Sequence, residues 1–388
     1  MNRIIVTIVF CIGWMVCCAQ TKPVAVGAEA TNEYFPLLKG KRIAVLSNHT
    51  GMVGNEHLVD LLKRKDFNVV CIFSPEHGFR GNADAGEHVS SSVDEKTGIP
   101  ILSLYDGDTG KPSVKSMSLF DVLVFDLQDV GLRFYTYYAT MVRMMDACAE
   151  SQKKMIILDR PNPNGHYVDG PILDMKYKSG VGWLPIPVVH GMTLGELAMM
   201  VNGEKWLPEG RICDISVIKC KNYTHQTMYQ LPIPPSPNLP TMKAVYMYPS
   251  TCYFEATPVS LGRGTDKPFL VYGHPNMLSY SFSFTPRSIP GAKNPPQLNK
   301  ICYGVDLSNL SDSDIWKKGV DLTYLIDAYT NLNMGDHFFR SFFEKLIGVS
   351  YVRKMIKEGC SADEIKKKWS DDVAKFKKQR APYLLYQE

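Results

Sequence analysis

The chain has 388 residues, of which 45% are hydrophobic and 21% charged, and no low-complexity tract occurs. That length exceeds one ordinary core and predicts two domains, while the composition excludes a disordered polypeptide. The net charge of +4 is small, and no basic stripe with interleaved aromatics runs through the middle, which argues against nucleic acid as a partner.

The first element is a leader. Arg3 precedes an apolar run from Ile4 to Val16, which ends in Cys17-Cys18-Ala19-Gln20. A basic start, a short apolar run and a small-residue exit predict a signal peptide over residues 1–20, too short to span a membrane comfortably. Cleavage near Ala19 or Gln20 removes only Arg3 among the charges and leaves +3. A lipid anchor at Cys17 or Cys18 is the alternative processing. The expected location is secreted or periplasmic, free or lipid-anchored to the envelope, with no transmembrane segment. Beyond the leader, Cys71, Cys148, Cys213, Cys220, Cys252, Cys302 and Cys360 are widely spaced and form no CxxC. That pattern argues against a disulfide framework or a thiolate zinc site. Cys71 and Cys213 sit in apolar strand-like runs and read as core residues.

From residue 41 to 220 strand and helix signals alternate. Strands are predicted over 41–47, 68–74, 99–105, 121–126 and 154–159, helices over 54–65 and 134–150. The strands are nearly continuous apolar runs, as in a parallel sheet covered on both faces, so the prediction is an open, doubly wound α/β domain. The proline cluster at 231–237 reads as a connection. The domains are placed at 33–235 and 236–388. Residues 241–312, rich in Tyr, Phe, Thr, Gly and Pro, suggest short strands and loops, and 320–380 turn helical. Gly359 closes one helix there, and Ser361 with Glu364 opens the last through a capping box. Ile365, Trp369, Val373 and Phe376 follow at helical spacing, with lysines mostly opposite on a solvated face.

The polar residues gather where the strands end: Asn48-His49-Thr50-Gly51, Pro75-Glu76-His77-Gly78, Asp106-Gly107, Gln128-Asp129-Val130-Gly131, and Arg160-Pro161-Asn162-Pro163-Asn164-Gly165. Exits from parallel strands share one edge, where open α/β sheets bind ligands. A dinucleotide is not the expected ligand, because the first turn lacks the first two glycines of GxGxxG, and no GxxxxGK[ST] occurs. No cofactor is expected.

Glu76 at a strand exit can hold a proton in a partly desolvated cleft and donate it to a glycosidic oxygen; equally, it can cap a turn or pair with Arg80. Asp129 and Asp126 are candidates for the second carboxylate of glycoside hydrolysis, Asp129 lying further out; an acetamido sugar can instead supply its own nucleophile. Arg133, Arg160 and Arg263 offer planar forks for a substrate carboxylate, or internal salt bridges with Asp129, Asp159 or Asp266. Tyr135 and Tyr137 either face sugar rings or pack. His49, His77 and His190 come from separate loops without HExxH spacing, so no metal site is expected. Thr193 and Glu196 form a capping box, which assigns Glu196 to structure and leaves His190 as a cleft candidate. A serine-acyl enzyme has little support, since GxSxG is absent.

Six blocks carry a resemblance. They are Ser74–Gly81 (SPEHGFRG), Phe125–Tyr137 (FDLQDVGLRFYTY), Leu158–Gly165 (LDRPNPNG), His190–Thr193 (HGMT), Pro235–Thr241 (PSPNLPT) and Gly262–Phe269 (GRGTDKPF). In this order they resemble the NamZ-type exo-β-N-acetylmuramidases, glycoside hydrolase family 171, formerly a domain of unknown function. The resemblance spans roughly residues 33–388. It implies a Rossmann-like α/β domain joined to a smaller α+β C-terminal domain that completes the cleft. It also implies release of β-1,4-linked N-acetylmuramic acid (MurNAc) from the non-reducing end of peptidoglycan-derived glycans such as MurNAc-GlcNAc. The glutamate of the SPEHG block is then the catalytic candidate Glu76. Ala256 and Pro258 depart from the family form. With Asp129 added as catalytic, the expected substrate-binding set is Asn48, His49, His77, Gln128, Arg133, Tyr135, Arg160, Asn162, Asn164, His190, Asn238 and Arg263. The alternative readings are a non-catalytic peptidoglycan- or carbohydrate-binding protein and a metal-dependent hydrolase on the same scaffold.

Overall fold

A computed structural model describes residues 22–75, 79, 92–104 and 111–388. The leader, Glu76, His77 and the Asp106-Gly107 exit lie outside the described residues.

Twelve strands and eleven α-helices are described. The strands are β1 (Ile43–Ser47), β2 (Met52–Val53), β3 (Glu56–His57), β4 (Val69–Phe73), β5 (Ser92–Val93), β6 (Pro100–Leu102), β7 (Val122–Asp126), β8 (Lys154–Leu158), β9 (Ile215–Ile218), β10 (Val271–His274), β11 (Phe282–Phe284) and β12 (Cys302–Asp306). The helices of the first half are α1 (Thr31–Leu38), α2 (Leu58–Arg64), α3 (Val114–Ser118), α4 (Tyr137–Glu150) and α5 (Leu194–Gly203). Those of the second half are α6 (Met242–Thr251), α7 (Asp312–Lys318), α8 (Thr323–Leu332), α9 (Phe343–Ile347), α10 (Tyr351–Lys357) and α11 (Ala362–Arg380).

The main sheet runs β5-β6-β4-β1-β7-β8-β9, parallel except for the edge strand β5. Counting the parallel strands in chain order gives 3-2-1-4-5-6, the doubly wound order. The strands are apolar throughout because both faces are covered. Ala44, Leu46, Cys71, Phe73, Leu123, Phe125, Met155 and Ile157 enter one buried cluster. Their alternate neighbours Ile43, Val45, Ile72, Val122, Val124, Ile156 and Leu158 enter another. This two-residue alternation is the pleat distributing one strand between two cores. The second cluster is closed by Tyr34 and Leu38 of α1 and by Leu58, Val59 and Leu62 of α2.

The first cluster does not stop at the domain boundary read from the proline cluster. It continues through Tyr246 and Tyr253 to Phe343, Trp369 and Phe376, so the two halves of the chain share a core. The second half adds the antiparallel sheet β10-β12-β11 and the helices α6 to α11. The Ser361–Glu364 box opens α11 as the sequence predicts, and Ile365, Trp369, Val373 and Phe376 are buried.

Several boundaries differ from the sequence reading. The helix expected over 54–65 begins at Leu58, because residues 52–57 form the β2–β3 hairpin and the His57 imidazole caps the helix by accepting the Val59 N–H at 3.2 Å. The helix expected from Phe134 begins at Tyr137. Residues 242–251, expected as strand or loop, are helix α6, started by Thr241, whose Oγ accepts the Ala244 N–H at 3.2 Å. Cys213 is buried but precedes β9. All seven described cysteines are free thiols.

Candidate active site at the strand exits

In the observed strand order, the topological switch lies between β1 and β7, the place where an open α/β sheet leaves a crevice outside its carboxyl ends. The loops there are tied to one another by side chains.

At the β1 exit, Asn48 is buried and makes an Asx turn. Its Oδ1 accepts the Thr50 N–H at 3.0 Å and the Thr50 hydroxyl at 2.6 Å, while its Nδ2 donates to Tyr137 Oη at 2.8 Å. Thr50 Oγ1 in turn accepts the Gln128 N–H at 3.3 Å, joining the β1 and β7 exits. Gly51 is required, since a Cβ would stand 2.0 Å from Ser47 Oγ. Gln128 Nε2 donates to Asp129 O at 2.9 Å and to Pro161 O at 2.8 Å, which joins the β7 exit to that of β8.

Asp129 is 7% exposed. Its Oδ1 accepts the Gly131 N–H at 2.7 Å, and its Oδ2 is buried without a hydrogen-bond partner among the described residues. Burial pushes its carboxyl up to about 7, against a smaller opposing effect of the Gly131 and Val130 N–H groups. Gly131 adopts φ +77°, and a Cβ there would collide with the Asn162 side chain.

Asn162 and Asn164 are buried. Asn162 Nδ2 donates to Met192 O at 2.9 Å and its Oδ1 accepts the Asn164 N–H at 2.8 Å; Asn164 Nδ2 donates to Val130 O at 2.9 Å, leaving its Oδ1 without a partner among the described residues. His190 is fully buried. Its Nδ1 accepts the Met192 N–H at 3.2 Å, and burial pulls its imidazole down to about 3, so the ring is neutral. The proline segment after β9 covers the switch point. His49 Nε2 meets Pro234 O at 3.0 Å and Tyr135 Oη donates to Pro235 O at 2.8 Å. Asn238 Nδ2 continues the tie to Gly291 O at 2.8 Å.

Comparison with known proteins decides the family. Residues 43–243 match "Exo-beta-N-acetylmuramidase NamZ, N-terminal", and residues 246–386 match "Exo-beta-N-acetylmuramidase NamZ, C-terminal". The chain belongs to the NamZ exo-β-N-acetylmuramidase family. It is 39% identical over 374 residues to the peptidoglycan beta-N-acetylmuramidase NamZ of Bacillus subtilis (strain 168), covering 91% of this chain and 89% of that protein. Among solved structures it resembles a DUF1343 family protein of Bacteroides fragilis NCTC 9343 at 71% identity and TM-score 0.89, over 95% of this chain and 100% of that one. A second DUF1343 family protein of the same strain matches at 28% identity and TM-score 0.78, over 94% of this chain and 99% of that one.

Within the NamZ-family fold the three candidate arginines are engaged by the protein. Arg133 is fully buried and meets no carboxylate among the described residues. It donates to the carbonyls of Pro171, Ile186, Leu346 and Ile347 at 2.7 to 3.0 Å and so binds the two halves of the chain together. The expected partner Asp129 is not among its contacts. Arg160 pairs with Asp126, at 2.6 and 3.0 Å, and with Met52 O at 3.0 Å, rather than with Asp159. Arg263 pairs with Glu255 at 2.5 Å, not Asp266; its side chain is 22% exposed, and only two of its guanidinium nitrogens are engaged there. The forks of Arg133 and Arg160 are therefore engaged inside the protein, and that of Arg263 only in part.

Sequence reasoning did not single out Thr50 as the stitch between exits, although Asn-x-Thr before a glycine signals an Asx turn. Among the described residues no group of three or more His, Cys, Asp or Glu side chains is placed to hold a metal, and no helix is long and apolar enough to cross a membrane. An open groove of about 770 Å³ lies elsewhere, at the amino ends of β1 and β4, between α1 and residues 65–68. Its carboxylate is Asp66 and its cations are Lys39, Lys41 and Lys65, on the sheet edge opposite the switch point.

Proposed function

We propose that this protein is an exo-acting glycosidase that releases non-reducing-terminal β-1,4-linked MurNAc from peptidoglycan fragments in cell-wall turnover. The observation that carries the reading is the family match across both halves of the chain. Glu76 and Asp129 are the proposed carboxyl pair. Glycosidic cleavage needs one group to protonate the departing oxygen and another to assist attack at the anomeric carbon, a task the substrate's own acetamido oxygen can share.

The remaining side chains divide by geometry. Asn48, Gln128, Asn162 and Asn164 use most of their hydrogen-bonding capacity to hold the loops, so they shape the crevice and restrain Asp129. The half-buried His49 and the part-exposed Arg263 are the proposed polar contacts to sugar and lactyl carboxylate. His77, Tyr135, His190 and Asn238 complete the proposed binding set. Secretion or periplasmic export, free or with a lipid at Cys17 or Cys18, would place the protein beside its substrate.

The test is turnover of a chromogenic β-MurNAc glycoside beside its β-GlcNAc counterpart. The reading requires release from the MurNAc compound. Equal or faster release from the GlcNAc compound would overturn recognition of the lactyl group.

A further inference from the structure

Resting on the glycosidase reading, we infer that the groove at the amino ends of β1 and β4 is a second peptidoglycan site. It holds a sugar ring and the acidic peptide stem of a strand that is not being cut. The groove has a volume of about 770 Å³, within the range of sites that enclose drug-sized ligands. β1 and β4 are five residues long. At about 3.3 Å per residue the groove stands on the order of 16 Å from the strand exits, so one sugar residue does not reach both.

Two helix ends build the walls. α1 gives Phe35 and the turn Lys39-Gly40-Lys41, and the end of α2 gives Lys65, Asp66 and Phe67. Phe35 and Phe67 meet edge to face with centroids 4.7 Å apart, and both are half-buried. Gly40 turns the chain at φ +72°, and a Cβ there would meet nothing within 4 Å, so the turn leaves the floor open. An aromatic floor of this kind takes the C–H face of a pyranose or the methyl of an acetamido group. Asn32 and Asn68, both exposed at the rim, offer amides to sugar hydroxyls.

The rim selects an acid. Lys39, Lys41 and Lys65 are exposed beside one carboxylate, Asp66, a surplus of two positive charges. The carboxyl ends of α1 and α2 offset about half a charge each, which leaves the rim positive. The neighbouring arginines are already paired, Arg42 with Asp121 and Arg64 with Glu56. A bare polyanion would leave the aromatic floor unused, and a neutral glycan would leave the lysines unused. A flat membrane surface does not enter a groove between two helix ends. A glycan with carboxylates on its peptide stems matches the floor and the rim together.

The experiment measures co-sedimentation of the full chain with purified peptidoglycan sacculi, beside turnover of MurNAc-GlcNAc. It compares wild type with a triple variant carrying Lys39→Gln, Lys41→Gln and Lys65→Gln. Affinity for sacculi should fall at least about tenfold in the variant. Its disaccharide turnover should stay within about twofold of wild type, which also shows that it folds. Unchanged sedimentation of the variant would overturn the site, and so would a parallel loss of sedimentation and turnover. Soluble muropeptides should release wild type from the sacculi, whereas polyglutamate at the same carboxylate concentration should not. Equal release by polyglutamate would reduce the groove to a charged patch and overturn the proposal. Sedimentation lost only in the variant, with no disaccharide turnover by wild type, would instead defeat the glycosidase reading and leave the groove standing.

Discussion

Arg160 Nε lies 2.6 Å from Asp126 Oδ1, and the two side chains are 6% and 0% exposed. The pair joins the end of β7 to the exit of β8, with a further bond to Met52 O. Breaking such a pair by removing one member leaves the other charge buried alone, which costs about 3–5 kcal/mol. Arg160→Met should lower unfolding free energy in denaturant by that amount. A loss below about 1 kcal/mol would show that the pair is solvated in solution.

Arg133 and Gly348 are fitted to one another. A Cβ on Gly348, which has φ +87°, would stand 2.5 Å from Arg133 Nη2. Gly348→Ala should therefore cost more than about 1 kcal/mol through backbone and collision together. Arg133→Met, which strips hydrogen bonds from four carbonyls, should cost at least about 3 kcal/mol. Wild-type thermal stability in Arg133→Met would refute its role as the tie between the halves.

Asp129 should leave a signature in the pH dependence of stability. Its carboxyl is raised to about 7 in the folded chain, from an ordinary value of 3.8. Between those values the folded state holds a proton that the unfolded state has lost, so this group makes stability fall as pH rises, with the loss complete above about pH 7. Asp129→Asn removes that slope. The stability of the variant relative to wild type should climb from about pH 4 to about pH 7 and then level. His190 and Asp159 titrate in both proteins and cancel. A difference that stays flat over this window would mean that Asp129 is ionised throughout.

The C-terminal residues hold the first half of the chain. Tyr386 Oη donates to Asp159 Oδ2 at 2.7 Å, and the Leu385 N–H reaches Glu196 Oε1 at 2.8 Å. Thr193 Oγ1 shares the same Asp159 oxygen at 2.7 Å while capping α5. Thr193→Ala should cost about 1–2 kcal/mol, and Tyr386→Phe about 1 kcal/mol. Chemical denaturation of both variants would check this, and stabilities equal to wild type would remove the tail from the account.

The doubly wound sheet was legible because β1, β7 and β8 are buried on both faces and read as uninterrupted apolar runs. The shared edge of their exits followed from that alternation. The short strands β5 and β9 escaped, since two exposed residues and a four-residue, mostly half-buried stretch carry little periodicity. The capping boxes at Thr193 and Ser361 were legible because their chemistry is local. Arginine roles were not. A fork that grips four carbonyls, two of them more than 200 positions away, has the same local sequence as one that grips a substrate. Asp129 was legible as a candidate, but the difference between its two oxygens depends on packing from several exits.

The central claim is cleavage of a MurNAc glycoside by carboxyl groups at the strand exits. Its most direct test is the time course of MurNAc release from MurNAc-GlcNAc by wild type and Glu76→Gln at matched folded concentration. The account predicts steady accumulation of free MurNAc with wild type, and a rate about 10²–10⁴-fold lower in the variant at unchanged melting temperature. Wild-type turnover by Glu76→Gln, or no MurNAc from either protein, would contradict it.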